Sequence, residues 1–264
     1  MRNVFGTASR VLEQASRVLM YASAGCTPLA ALRDGIRTQW GGFFREKEQI
    51  ESGFFTGERR VADTWVPSGA RILLIGCGTG RDLIEFVRRG WRVTGIDPAE
   101  TALAQAREEL RQRGLSASLE RGFVEDHPLA GEFDVVWFSW NSYSYIPGSS
   151  RRIATLRRLL PHLAPGGRIV ISHIAHRRPP RTRALCAGQW AGRVCRTDWR
   201  LEEGDRVSWY GAGTPYFHYE HVFGPGEVER EAMAAGLRAL EVSAVDSLAV
   251  LEREPGPSMP MPKP

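Results

Sequence analysis

From about residue 70 the apolar positions of this chain change period in a regular way. Ile72-Leu73-Leu74-Ile75 is a short apolar run of strand length that stops in Gly76-Cys77-Gly78-Thr79-Gly80, and Leu83, Ile84, Phe86 and Val87 then recur at helical spacing. A second strand is predicted at Trp91–Ile96, ending in Asp97-Pro98. A further one is predicted at Glu132–Phe138, and another follows the Pro165-Gly166-Gly167 turn as far as Ile171. Strands alternating with helical patterns predict an α/β sheet up to about residue 173. The first 66 residues read as helical, with Val11, Leu12, Ala15, Val18, Leu19 and Ala22 on one helix face. Residues 174–225 read as an insertion with strands at 206–210 and 216–223. A helix over 226–236 and strands at 240–245 and 248–252 then return to the sheet, and the Pro-rich segment 255–264 is expected to be disordered.

The three glycines at alternate positions carry the first chemical information. Each lacks a Cβ at a tight turn, so the backbone can take positive φ and a ligand can approach the main chain, while the helix that follows offers free N–H groups. The spacing is G-x-G-x-G, and Arg81 stands where a nicotinamide or flavin fold wants its third glycine. The loop therefore suits a ligand with no pyrophosphate to cradle, against the plain alternative of a glycine-rich turn without a ligand. Asp97, at the tip of the second strand, is placed to accept ribose hydroxyls; it can also N-cap the helix that begins near Glu100.

With these residues in view, the chain resembles the class I S-adenosylmethionine-dependent methyltransferases over roughly residues 70 to 173. Gly76–Gly80 fall on that family's first motif and Asp97 on its ribose-binding acid. Phe133-Asp134-Val135 falls on the entry to its fourth strand, and Leu163-Ala164-Pro165-Gly166-Gly167 on the turn into its fifth. The resemblance implies a Rossmann-like, doubly wound, mostly parallel seven-stranded sheet, with a helical N-terminal cap (1–66), a core (67–254) and a β-rich substrate lid inserted at 174–225. It also implies S-adenosylmethionine as cofactor, held by Gly76, Cys77, Gly78, Gly80, Asp97, Pro98 and Ser139. Many relatives carry an acid for the adenine amino group where this chain has Phe123. Stacking on Phe123, the backbone of Val124, or Glu125 or Asp126 can substitute, and Val124 and Glu125 are the preferred pair.

Composition alters this picture little. With 264 residues and 42% hydrophobic content the chain can build one large core. Cys26, Cys77, Cys186 and Cys195 show no C-x-x-C spacing, so no metal site is expected, and a reducing cytoplasm is the natural reading. Arg10, Glu13 and Arg17 interrupt the N-terminal apolar stretch, which argues against a signal peptide or a transmembrane segment. The amphipathic helix there suits packing, or contact with a membrane surface or a partner. The net charge of +5 is carried almost wholly by arginine, densest over 174–200. That bias is compositional enough to disfavour nucleic acid as partner, and no N-P-P-Y type sequence follows the fourth strand.

On the substrate side, Trp140, Asn141, Tyr143 and Tyr145 leave the fourth strand at the edge where open α/β folds bind ligands, and Trp40 beside Gly41-Gly42 is placed to close over the site. The alternative for Tyr143 and Tyr145 is packing beneath the insertion. His221 and, second, His218 on the 216–223 strand are the candidates for a general base, although an amine acceptor arriving deprotonated needs none. The expected activity is methyl transfer to an oxygen or nitrogen of a small molecule. A non-catalytic cofactor-binding scaffold, an RNA methyltransferase and, further behind, a nicotinamide-dependent reductase are the alternatives. The sequence does not fix the oligomeric state.

Overall fold

A computed structural model describes residues 2–43, 50–175, 182–210 and 216–254. The arginine-rich loop at 177–181 and the Pro-rich segment from 255 lie outside the described residues. Helix α1 (Arg2–Cys26), α2 (Leu29–Phe43) and α3 (Thr56–Trp65) precede the sheet. There follow β1 (Arg71–Ile75), α4 (Arg81–Arg88), β2 (Arg92–Asp97), α5 (Glu100–Gln112), β3 (Ser118–Arg121), β4 (Phe133–Phe138), α6 (Ser149–Leu159) and β5 (Leu163–Ser172). The rest is α7 (Arg183–Val194), the hairpin β6 (Asp205–Tyr210) and β7 (Tyr216–His221), α8 (Glu227–Ala234), β8 (Leu237–Ser243) and β9 (Leu248–Arg253).

Seven strands form one sheet in the order β3-β2-β1-β4-β5-β9-β8, parallel except for β9, which runs antiparallel to both neighbours. The apolar runs have the composition they do because helices cover both faces, so side chains pointing either way are buried. Ile72 and Leu74 join Leu83, Phe86, Trp91 and Trp137 on one face, and Leu73 and Ile75 join Val136, Phe138 and Leu156 on the other. This is the Rossmann-like fold expected. β8 starts three residues earlier than its pattern suggested, because Leu237 at its start is fully buried.

A third apolar cluster joins α1, α2, α7 and the hairpin. Glycines permit the α1–α7 contact: a Cβ on Gly25 would lie 2.1 Å from the Gly188 carbonyl oxygen. Cys26 and Cys195, 169 residues apart in sequence, form a disulfide there with Cα atoms 5.3 Å apart. Cys26 and Cys195 thus pair without C-x-x-C spacing, which removes the cysteine argument for a reducing compartment. Packing accounts for only part of α1, since Val11, Leu12 and Leu19 are exposed while Tyr21 and Ala24 are buried. Among the described residues no helix is long and apolar enough to cross a membrane.

Candidate functional site

A cleft of about 1000 Å³, open to solvent, lies at the C-terminal ends of β1, β2 and β4. Its floor is the glycine loop. Gly76 (φ 72°) and Gly78 (φ 52°) are left-handed, and at Gly76 a Cβ would also sit 2.7 Å from that of Ser142, so both torsion and contact require glycine. The N–H groups of Gly76 and Cys77 donate to the Ile96 carbonyl at 2.8 and 3.2 Å, which folds the loop against the tip of β2.

Asp97 stands at that tip, 5% exposed. One carboxylate oxygen accepts the Gly78 N–H at 2.9 Å and the other the Ala99 N–H at 2.8 Å. It therefore ties the loop to the start of α5 as well as facing the cleft. A carboxylate has about four acceptor positions, so each oxygen keeps capacity for a hydroxyl donor. Burial pushes its pKa up to about 6 against the pull of those two N–H donors.

Arg81 lines the same cleft and is 6% exposed. Its Nη2 reaches Glu58 at 2.7 Å and Asp82 at 2.6 Å, and its guanidinium carbon stands 4.2 Å from the Phe55 ring centroid and 4.8 Å from that of Trp140. Nε and Nη1 are buried without a hydrogen-bond partner. Two buried, unpaired donors on a cation are costly unless an acceptor meets them. Glu58, buried beside Asp82, has its pKa pushed up to about 7, and burial also raises that of Asp82, which accepts the Ser139 hydroxyl.

Helix α2 roofs the Asp97 end. Arg33 pairs with Glu125 at 3.0 Å, forks onto both oxygens of Asp126, and lies 4.4 Å over the Phe123 ring. The Thr101 hydroxyl donates to the Gly41 carbonyl at 2.8 Å, a close approach that a Cβ on Gly41 would obstruct. The Gly41 position thus serves a close contact between α2 and α5. Ile36 and Trp40 line the cleft from this roof, and Trp40 meets Tyr145 edge-on at 4.9 Å.

The structure gathers Gly76, Cys77, Gly78, Asp97, Pro98, Val124, Glu125, Ser139, Trp40, Trp140 and Tyr145 around the cleft, with Phe123 beside them. Gly80 (φ 107°) does not line it; it N-caps α4. Asn141 turns to a neighbouring hollow, its N–H donating to Ser172 Oγ at 2.9 Å. Tyr143 is fully buried and donates to Glu231 at 2.8 Å, whereas Tyr145 lines the cleft and also packs against the apolar cluster of the hairpin. Burial, and then the nearby Asp97, hold the Cys77 thiol well above its ordinary pKa.

The two histidines need correction. His221 is fully buried, with Nδ1 2.8 Å from Asp205 and Nε2 3.1 Å from Glu227, and does not line the cleft. Burial lowers its pKa, but the bonds to Asp205 and Glu227 outweigh this and leave it raised. His221 belongs to a polar network in which the buried Arg152 binds Glu231 and Glu202 at 2.6 Å and Tyr219 donates to Asp205 at 2.8 Å. Such a ring, saturated by protein partners, pins the hairpin to α6 and α8 and cannot reach a ligand in the cleft. His218 stands behind Tyr145, its ring centroid 6.2 Å away, and contacts Gln39 and Glu220. It too is outside the lining. Sequence reasoning used Arg81 only to exclude a dinucleotide and passed over Glu58; the adjacent Arg81-Asp82 pair opening α4 was the available signal.

A methyltransferase-domain family profile matches residues 72–167. Rat glycine N-methyltransferase is 30% identical over 116 residues, 39% of this chain and 40% of that protein. A ubiquinone biosynthesis O-methyltransferase from Thiobacillus denitrificans is 35% identical over 116 residues, 43% of this chain and 48% of that one. The chain thus matches less than half the length of these curated relatives. Among solved structures, the CcbJ methyltransferase from Streptomyces caelestis superposes with a TM-score of 0.57 at 17% identity, covering 83% of this chain and 96% of that one.

Proposed function

We propose that this chain, whose residues 72–167 form a domain of the class I S-adenosylmethionine-dependent methyltransferases, transfers a methyl group to a nitrogen or oxygen of a small molecule. The observation that carries the reading is the pairing, in one cleft, of a buried carboxylate at the tip of β2 with a buried guanidinium that has two unpartnered nitrogens. These groups fit the two polar ends of S-adenosylmethionine. Asp97 accepts the ribose hydroxyls, and Nε and Nη1 of Arg81 donate to the amino-acid carboxylate. Phe123, Val124 and Glu125 hold adenine beneath α2, and Trp40 and Ile36 exclude water from above. When bound, this cofactor supplies a methyl group already activated by the positive charge on sulfur. The chain's own part is therefore alignment and exclusion of water, with aromatic faces beside the cation.

The test is calorimetric. S-adenosylhomocysteine should bind the full chain with micromolar or tighter affinity, and NADH should not. Arg81→Lys should weaken S-adenosylhomocysteine at least tenfold but leave 5′-methylthioadenosine, which lacks the amino-acid carboxylate, within about twofold. Equal losses for both nucleosides would remove Arg81 from that role, and NADH binding with no S-adenosylhomocysteine binding would overturn the function.

A further inference from the structure

Half of the exposed large apolar side chains lie on one helix pair. Of ten among the described residues, Val11, Leu12 and Leu19 belong to α1 and Trp190 and Val194 to α7. Every residue from Ser9 to Arg17 is exposed, so roughly two and a half turns of α1 stand out from the body of the chain. Over this stretch Val11, Leu12 and Ala15, continued by Leu19, share one face, and Arg10, Glu13 and Arg17 lie away from it. None of these apolar side chains enters a core cluster, and a contiguous apolar face left in water marks a surface that another body covers.

The two helices are fastened where they meet. The disulfide between Cys26 and Cys195 closes that end, the Thr197 hydroxyl donates to the Gly25 carbonyl at 2.9 Å, and the Trp199 indole N–H donates to the Thr27 carbonyl at 2.7 Å. Charge then says what the pair faces. From Ser9 to Cys26, and from Arg183 to Arg200, six exposed arginines (Arg10, Arg17, Arg183, Arg193, Arg196 and Arg200) stand against two exposed acids, Glu13 and Asp198, a surplus of four positive charges. Among the described residues none of the six takes part in an ion pair. The exposed arginines of α5 are different, since Arg107 pairs with Glu100 and Arg111 with Glu108 on their own helix.

We infer that the α1–α7 face docks on an anionic lipid surface, with the stripe from Val11 to Leu19 against the acyl chains and the unpaired arginines among the headgroup charges. Lipid takes up the apolar stripe and anionic headgroups neutralise the arginines, so one partner answers both features. A second copy of the chain would bring the same unpaired arginines into the contact and be repelled by them. Trp190, 65% exposed, has the apolar body and polar N–H that suit the boundary between acyl chains and water. The contact is peripheral, since no described helix is long and apolar enough to cross a membrane. It stands apart from the cofactor reading, because no residue of this face lines the cleft.

The test is flotation of the full chain, its disulfide intact, with vesicles of phosphatidylcholine alone and of phosphatidylcholine mixed equally with phosphatidylglycerol. The chain should bind the mixed vesicles about tenfold more tightly than the neutral ones, and added salt should weaken that binding. Leu12→Gln combined with Leu19→Gln keeps every charge, so a loss of about tenfold in this variant separates insertion of the stripe from attraction of a basic protein. Arg10→Gln combined with Arg17→Gln should narrow the preference for the anionic vesicles. Thermal unfolding at the wild-type midpoint, expected for substitutions at exposed positions, reports that both variants are folded. No vesicle binding, equal binding to the two compositions, or binding untouched in the folded leucine variant would overturn the proposal. So would a dimer in sedimentation velocity that the leucine variant dissolves, since a second copy then covers the face.

Discussion

Asp97 couples folding and ligand binding in opposite directions, and that opposition is measurable. Its carboxylate has a pKa of about 6 in the folded chain because burial penalises the ionised form. Relative to the ordinary 3.8 of an aspartate this is roughly 3 kcal/mol against folding once the group is fully ionised. A folded-state pKa above the unfolded one means that the stabilising contribution is complete below about pH 4 and is lost as pH rises through 6. Between pH 5 and pH 8 the loss from this group is about 1.4 kcal/mol. Ribose hydroxyls, however, donate to the ionised form, so affinity for S-adenosylhomocysteine should rise over the same interval, by about tenfold when only the carboxylate form binds. Urea unfolding and calorimetry of the wild type and of Asp97→Ala, each at pH 5 and pH 8, separate the two. The stability difference between wild type and variant should shift by about 1.4 kcal/mol in favour of the variant at the higher pH, and the tenfold pH dependence of affinity due to Asp97 should be lost in the variant, leaving only that of Glu58 beside Arg81. A pH dependence of affinity that is undiminished in Asp97→Ala, or a stability difference that does not move, refutes the reasoning.

Other outcomes follow from single contacts. Trp40→Ala opens the roof and should weaken S-adenosylhomocysteine by roughly 1–2 kcal/mol in calorimetry, the scale of a buried aromatic face. His221→Ala leaves Asp205 and Glu227 facing each other in a buried network and should cost about 3–5 kcal/mol in urea unfolding, with cofactor affinity changed less than twofold. Because the His221 pKa is raised, that cost should be largest below pH 6.5 and shrink as pH rises; a constant cost, or a loss of affinity, counts against a purely structural role. Reducing the disulfide that joins Cys26 to Cys195 frees a loop of 169 residues and should lower stability by about 2–5 kcal/mol, while Cys26→Ser should make unfolding insensitive to reductant.

The sheet and the cleft at its edge were legible because their signals are local. A glycine loop between an apolar run and a helical pattern, and an acid at the tip of the next strand, each sit within about ten residues, and the parallel topology then brings them together. Asp97 faces the cleft and receives the Ala99 N–H just before α5, where Ala99 and not Asp97 takes the capping position. What could not be read depended on distance in sequence. His221 looked accessible on an alternating strand, yet Asp205, Glu227 and Arg152 close around it from three other elements. The disulfide needed the α1–α7 contact, which rests on glycines 25, 188 and 192 meeting across more than 160 residues of sequence. Tyr143 and Tyr145 are two residues apart on one short turn, and only the packing of α8, which brings Glu231 to the Tyr143 hydroxyl, distinguishes them.

Glu58, Arg81 and Asp82 form one electrostatic system beside the cleft. Asp97, Asp82 and Glu58 are all buried, and burial raises the pKa of each. Burying two carboxylates against one guanidinium is a liability in the empty protein, although removing both would leave the Arg81 cation uncompensated. The liability becomes an advantage when a cation arrives, because a negative field already fixed in place needs no reorganisation to receive positive charge. Arg81 sets the limit of that field. Held between Glu58 and Asp82 on one nitrogen, and pressed between Phe55 and Trp140, it stops the acids from repelling a carboxylate at the cleft. Replacing Arg81 with a neutral residue such as methionine should therefore weaken S-adenosylhomocysteine through loss of its carboxylate partner, and should raise further the pKa of Glu58, about 7 with Arg81 beside it. Calorimetry between pH 6 and pH 9 distinguishes this from simple unfolding, which would abolish binding of 5′-methylthioadenosine as well.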